Sequence, residues 1–242
     1  MVVDLIRDCQ TKVKYSYGYR RLKIWLLKNT GLIINHKALL RIMRTYGLHA
    51  RIRRKRHSCY GRIHNKFENV ISRDFKALKP NQKWVTDITL ISTKEGILYL
   101  SALQDLYDSS VLGYQFHRSP TATFVTDTIK MALMAKADQS KTIVHSDQGT
   151  QYTSGEYAEF CHANELIPSM SRRGTPLDNA CIESFFSALK CEWLSDANRH
   201  SMTEVIDEID QYMHFYNHDR ISLKRELTPY ETRSMFYANH QC

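Results

Sequence analysis

Three acidic residues, Asp87, Asp147 and Glu183, stand in settings that suit metal-dependent chemistry. Asp87 lies in KWVTDITLI, Asp147 in TIVHSDQGTQY and Glu183 in PLDNACIESFFSALK, and 35 residues separate the second from the third. Carboxylates gathered from such separate segments are what a protein needs to hold two magnesium ions. A metal pair can activate the attacking oxygen and stabilise the leaving oxygen of a phosphodiester. Hard oxygen donors, with no accompanying Cys/His set, favour magnesium or manganese over zinc. Cleavage or joining of DNA strands is the chemistry this set points to. Each acid alone has a plainer reading, since an isolated strand-edge acid is usually solvated or turn-forming. Asp87 is the least ordinary of them. It sits among Trp84, Val85 and Ile88, where a charge is costly unless something compensates it.

The elements that must position these residues begin near residue 82. KWVTDITLIS, GILYLSALQDLY and SSVLGYQFHRS are β-rich runs, with breaks at Lys94-Glu95-Gly96 and at Asp108-Ser109. ATFVTDTIKMALMAKA is a predicted helix, TIVHSDQG a strand, SGEYAEFCHANEL a helix and IPSMS a short strand. DNACIESFFSALKCEWL and MTEVIDEIDQYMHFYN are predicted helices. This order predicts an α/β fold of the ribonuclease-H-like type. It puts Asp87 mid-strand and Asp147 at a strand end. Glu183 and Lys190, nearly two turns apart on one helix, share a face. Arg172 and Arg173, just ahead of that helix, suit phosphate contact, and a solvated loop is the alternative. Asp178-Asn179 has the form of a cap for the same helix. His145 has two readings, packing or modulation of a metal site. Asp105, which ends a strand opposite the first, has two readings, approach to the metals or a structural hydrogen bond, and the second is the expectation. Tyr216, Asn217 and Arg220 are expected to lock a C-terminal helix to the core.

The charge is divided along the chain. Residues 1–80 carry 20 Lys and Arg against 4 Asp and Glu, a net of +16, whereas residues 81–242 carry 14 against 21, a net of −7. A basic head on an acidic body suggests a head that meets a polyanion and a body that holds cations. Residues 1–48 are predicted helical. Leu22, Ile24, Trp25, Leu26 and Leu27 form an apolar stripe closed by Gly31, and Asn35 caps a second helix that Gly47 ends. On that second helix Lys37, Arg41 and Arg44 fall on one face, while Leu39, Leu40 and Met43 turn to the first. The pair suits a helix-turn-helix-like DNA reader; an ordinary hairpin with a solvated basic face is the alternative. Residues 49–80, with Arg51, Arg53, Arg54, Lys55 and Arg56, form a basic linker or arm suited to phosphates without sequence choice. The catalytic domain is then 81–242.

With 242 residues and 43% hydrophobic content the chain is an ordinary globular protein. No apolar run is long enough to span a bilayer, and the N-terminus lacks a signal core. The six cysteines are scattered without a CxxC pair, so neither a zinc ribbon nor a disulfide framework is expected. A bacterial cytoplasmic, nucleoid-associated location with no membrane partner follows as the expectation.

These blocks together resemble a known family. YGYRRLKIWLL, NHKALLRIMRTYGL, WVTDIT, YLSALQDLY, HSDQGTQYTS, MSRRGTPLDNACIESFFSALK, YNHDRIS and LTPYE are similar to segments of transposases from bacterial insertion sequences of the IS-three type. The catalytic core of that family is similar to retroviral integrase. The resemblance implies that Asp87, Asp147 and Glu183 are the metal-binding triad and that Lys190 contacts the element's terminal DNA. It implies 3′-end cleavage followed by attack of the freed 3′-OH on another phosphodiester. Partners would be the terminal inverted repeats, the target DNA and further copies of the chain. Family members often carry Ser-Arg where this chain has Asp108-Ser109. An upstream frame often supplies a first helix-turn-helix and a coiled coil, and no leucine heptad run is present here. Two other functions compete: a DNA-binding regulator that competes for the element's ends, and a nuclease that cuts without joining.

Overall fold

The computed structural model describes residues 2–51, 67–136, 140–172 and 175–240. Its centre is a five-stranded sheet in the order β3-β2-β1-β4-β5. The strands are β1 (Lys83–Thr93), β2 (Gly96–Asp105), β3 (Val111–His117), β4 (Ile143–Ser146) and β5 (Ile167–Met170). The first three form an antiparallel meander, and β4 and β5 run parallel to β1. The turn from β1 to β2 passes through Gly96 at φ 125°, a conformation open to glycine and hardly to other residues.

Alternation along β1 builds two cores. Val85 and Ile91 face one side, with Leu98, Leu100 and Ala102 of β2. Trp84 faces the other, with Leu103 and Val144. Helices α4 (Ala122–Met134) and α5 (Gly155–Ala163) cover the Trp84 face through Val125, Ile129, Tyr157 and Cys161. Helices α6 (Ala180–Glu192) and α7 (Met202–His218) cover the Val85 face through Ile182, Phe185, Leu189, Ile209 and Tyr212. The last helix, α8 (Pro229–Asn239), packs against α7. It opens with a capping box of Thr228 and Glu231.

The N-terminal helices α1 (Val2–Lys12), α2 (Tyr19–Thr30) and α3 (His36–Thr45) join the Val85-side core through Ile6, Leu22 and Leu39. Tyr17 fastens them: its hydroxyl donates to the Asp219 carbonyl at 2.7 Å and accepts from the Ile221 N–H at 3.1 Å. Arg21 adds a bond to the Ile221 carbonyl. Asn35 caps α3 by accepting from the Lys37 N–H, and Gly31 ends α2 in the left-handed region. Leu27 is half exposed rather than part of the apolar stripe. Four apolar residues in succession cannot all lie on one helical face. Leu40 is only half-buried, while Leu39 and Met43 are buried.

Residues 67–80 are packed on the core rather than strung out as an arm. Ile71 is buried, and the Glu68 carbonyl accepts from the Met170 N–H. Among the described residues no helix is long and apolar enough to cross a membrane.

Candidate active site

Asp87 and Asp147 meet through the register of their strands. β1 pairs with β4 at Lys83–Ile143, Trp84–Val144 and Val85–His145. The same offset carried two residues further sets Asp87 level with Asp147, just beyond the end of the ladder. Asp87 shares its face of β1 with Val85, Thr89 and Ile91, the face that α6 covers. Its neighbour on β2 is Ala102, too small to fill the space beside a carboxylate. Helix α6 brings Glu183, exposed in its first turn, and Lys190 in its last. The Lys190 ammonium donates to Thr89 Oγ1 at 2.5 Å, two residues along β1 from Asp87.

The three carboxyl groups are electrostatically joined. Burial pushes Asp87 well above the ordinary carboxylate range, and the charges of Asp147 and Glu183 push the same way. The Ile88 N–H, 2.7 Å from Asp87 Oδ1, and Lys190 oppose this rise. Burial also raises Asp147, against a 2.8 Å hydrogen bond from the Gly149 N–H. Glu183, although its turn is exposed, is raised by partial desolvation of its carboxyl and then by the charge of Asp147. Desolvated acids that repel one another in this way are a place where a cation is stabilising. Among the described residues no three His, Cys, Asp or Glu side chains stand gathered as a ready-made metal cluster.

The other candidates are placed as follows. His145 is buried: Nδ1 pairs with Ser169 Oγ at 2.8 Å, and Nε2 pairs with Ser171 Oγ at 3.1 Å and the Asp178 carbonyl at 2.9 Å. Burial lowers its pKa, which keeps the ring neutral. Asp105 is structural, accepting from the Asn81 and Tyr107 N–H groups and from Arg233, which also holds Asp108. Tyr216 accepts from Gln104, Asn217 spans the Val111 backbone, and Arg220 pairs with Glu192.

Asp178 and Asn179 do not cap α6 as their sequence suggests. Asn179 occupies the N-cap position without a side-chain hydrogen bond, and the Asp178 carboxylate is drawn away by arginines. Arg172 is one of them, and Arg173 lies outside the described residues. Lys37, Arg41 and Arg44 are all exposed on α3. Arg51 is exposed, but its guanidinium donates to the Glu192 carbonyl and Ser195 Oγ at the end of α6. Arg53, Arg54, Lys55 and Arg56 lie outside the described residues. Of the cysteines, Cys9, Cys161, Cys181 and Cys191 are free thiols.

Sequence reasoning missed Glu192, the anchor of α6. Its spacing from Phe185 and Leu189, which puts it on the buried stripe, was the available signal. It also missed Thr89 and Arg73, for which no local signal exists.

Family models place an HTH-like domain over residues 2–56 and an integrase core domain over 77–176, with a second integrase core segment over 164–221. A protein of Escherichia coli K12 named as transposase InsK of insertion sequence element IS150 is 39% identical over 223 residues. The match covers 91% of this chain and 78% of that protein. The chain belongs to the insertion-sequence transposases. The transposase of IS904 from Lactococcus lactis is 36% identical over 86% of this chain and 83% of its own length. As an integrase-core transposase, the chain is a polynucleotidyl transferase of the integrase superfamily. Among solved structures, the simian T-cell lymphotropic virus intasome matches with a TM-score of 0.58 at 18% identity. That match covers 89% of this chain and 74% of the viral one. The catalytic core of HTLV-2 integrase, solved with magnesium, matches with a TM-score of 0.50 at 18% identity over 65% of this chain and 99% of its own. These two likenesses describe the fold.

Proposed function

We propose that this transposase cleaves the 3′ ends of its own insertion element and joins them to a new phosphodiester, with Asp87, Asp147 and Glu183 as the catalytic carboxylates. The observation that carries the reading is the strand register that levels Asp87 with Asp147 beneath the helix bearing Glu183. The upward shifts of all three carboxyl groups, by burial throughout and by neighbouring charge at Asp87 and Glu183, support it, since such perturbation concentrates at functional sites. The three carboxylates would hold two divalent cations, magnesium or manganese. Bound there, the ions would supply charge neutralisation and activation of the attacking oxygen.

The protein's own part is positioning. β1 and β4, adjacent within the sheet, hold two carboxylates level with the carboxyl end of β4, and α6 would deliver the third. Lys190, on the same face of α6 and tied to β1 through Thr89, offers a cation to the phosphate backbone of the element's end. The exposed Lys37, Arg41 and Arg44 of α3 offer a basic face to duplex DNA. The division of labour is a DNA-binding region over 1–48, a connecting segment over 49–80 and a catalytic core over 81–242. The chain would act in the bacterial cytoplasm, on the nucleoid, as an oligomer that synapses two terminal repeats, together with the product of an upstream frame.

The test is formation of excised element circles in cells, detected by amplification across the joined ends with the upstream frame supplied. Circles from wild type and none from Asp147→Asn is the expected result. Circles from both would show that the catalytic acids lie elsewhere. Circles from neither would favour a regulator of the element's ends, and cut ends without circles a nuclease.

A further inference from the structure

We infer that Arg73 and Arg172, mounted on the buried carboxylate of Asp178, form a binding site for a backbone phosphate of DNA beside the carboxylate cluster; the inference rests on the DNA-processing reading above. Asp178 is fully buried, whereas the Arg73 and Arg172 side chains are 46% and 54% exposed. The carboxylate accepts from Arg73 Nε at 2.7 Å, and from Arg172 Nε at 2.9 Å and Nη2 at 3.0 Å. It also accepts from the Arg172 N–H and from Asn69 Nδ2. These donors hold its carboxyl far below the ordinary range, so it stays charged. Two guanidinium ions on one carboxylate leave a net charge of +1, directed at solvent. The Arg73 terminal nitrogens have no partner among the described residues.

The arrangement is built rather than incidental. Ser72 and Arg73 both adopt positive φ, 45° and 67°, a strained pair for residues other than glycine. Asn69 fixes that turn, accepting from the Ser72 N–H and hydroxyl while donating to Asp178. The outer donors are therefore pre-ordered, which is what bidentate recognition of a phosphate needs.

The position also fits. β4 and β5 pair at Ser146–Met170, and the same offset sets Arg172 level with Gln148, one residue past Asp147. The Gln148 side chain bonds the Ser171 carbonyl across this edge. The pair thus flanks the carboxyl end of the sheet, where Asp147 emerges and α6 begins. In an otherwise acidic core domain, it offers a phosphate next to the reacting bond a positive seat.

The experiment measures the affinity of the full-length chain for a generic DNA duplex as salt is varied. Each phosphate contact contributes about 0.9 to the slope of log affinity against log salt. The Arg73→Gln/Arg172→Gln variant is expected to lose about one contact, so a four-fold rise in salt weakens wild type about three- to four-fold more than the variant. Arg73→Gln alone, which leaves Arg172 on Asp178, serves if the double variant does not fold, and must lower the slope in the same direction. An unchanged slope in a variant with a wild-type circular dichroism spectrum would mean that the arginines only pin Asp178, and would overturn the inference. Binding is read without turnover. Active Asp87→Asn protein would therefore sink the catalytic assignment, while the slope alone decides the phosphate site.

Discussion

Helix α6 carries Glu183 at one end and is anchored at the other by Glu192, and this anchor yields a sharp prediction. The Glu192 carboxylate, 6% exposed, accepts from Arg220 Nε at 2.8 Å and Nη2 at 2.6 Å, and from the Tyr212 hydroxyl at 3.1 Å. Arg21 of α2 lies 3.8 Å away. Glu192→Gln keeps the shape but leaves the buried Arg220 guanidinium, which cannot shed its proton, facing Arg21 without a counter-charge. Removing one partner of a buried pair costs about 3–5 kcal/mol. For a chain of this size each kcal/mol moves Tm by about 2–4 °C, so a fall of roughly 6–20 °C is expected. Replacing both partners with apolar residues, Glu192→Leu/Arg220→Met, removes the Arg220 charge and is expected to recover part of the loss, with Arg21 left to its bond to the Ile221 carbonyl. Urea denaturation of the wild type, Glu192→Leu, Arg220→Met and the double variant closes the cycle, with Glu192→Gln measured beside it. A single-variant loss of less than about 1 kcal/mol would place the pair among solvent-screened surface ion pairs and refute the reasoning.

Three further outcomes are expected. Asp87→Asn should stabilise the cation-free protein at pH 8 by about 0.5–2 kcal/mol, the usual gain from relieving a strained functional site. Because burial and Asp147 raise the folded carboxyl above its unfolded value, wild-type stability falls as pH climbs through that folded value; the gain should vanish near pH 4 in thermal melts, and a pH-independent gain would remove the electrostatic cause. Manganese at 100 times its Kd should stabilise wild type by about 2.7 kcal/mol in the same melts and leave Asp87→Asn unmoved; equal shifts in both would place the ion elsewhere. Gly113→Ala should cost about 1–3 kcal/mol in denaturation midpoint, because the added methyl would overlap the Thr128 carbonyl and press on Met131 Cβ at 3.1 Å, forcing α4 off β3.

Features set by near neighbours are legible in the amino-acid sequence. The alternation around Asp87, the Asn35 cap, the Gly31 stop and the pairing of Glu183 with Lys190 on one helix all follow from the chain within two turns. The register of Asp87 against Asp147 is different, since it depends on which strands become adjacent, and only the fold decides that. Asp178 escapes a local reading for the same reason. A capping motif is a local offer, and it loses to Arg73, 105 residues away in sequence, which binds the same carboxylate with full charge. From residue 67 onward the connecting segment is packed rather than extended, because its polar composition hides Ile71, whose burial comes from distant partners. In sequence Arg51 is one more cation in a basic run; in the fold the end of α6 supplies it with acceptors.

The bonds from Tyr17 and Arg21 to the chain at Asp219 and Ile221 tie the N-terminal helices to the end of α7, which packs on the sheet. A duplex held on the basic face of α3 would then meet the acidic edge at a separation that the protein dictates, as a caliper does. On the proposed reading, the spacing between the DNA held by α3 and the bond cut at the carboxylates is set by packing rather than by a tether.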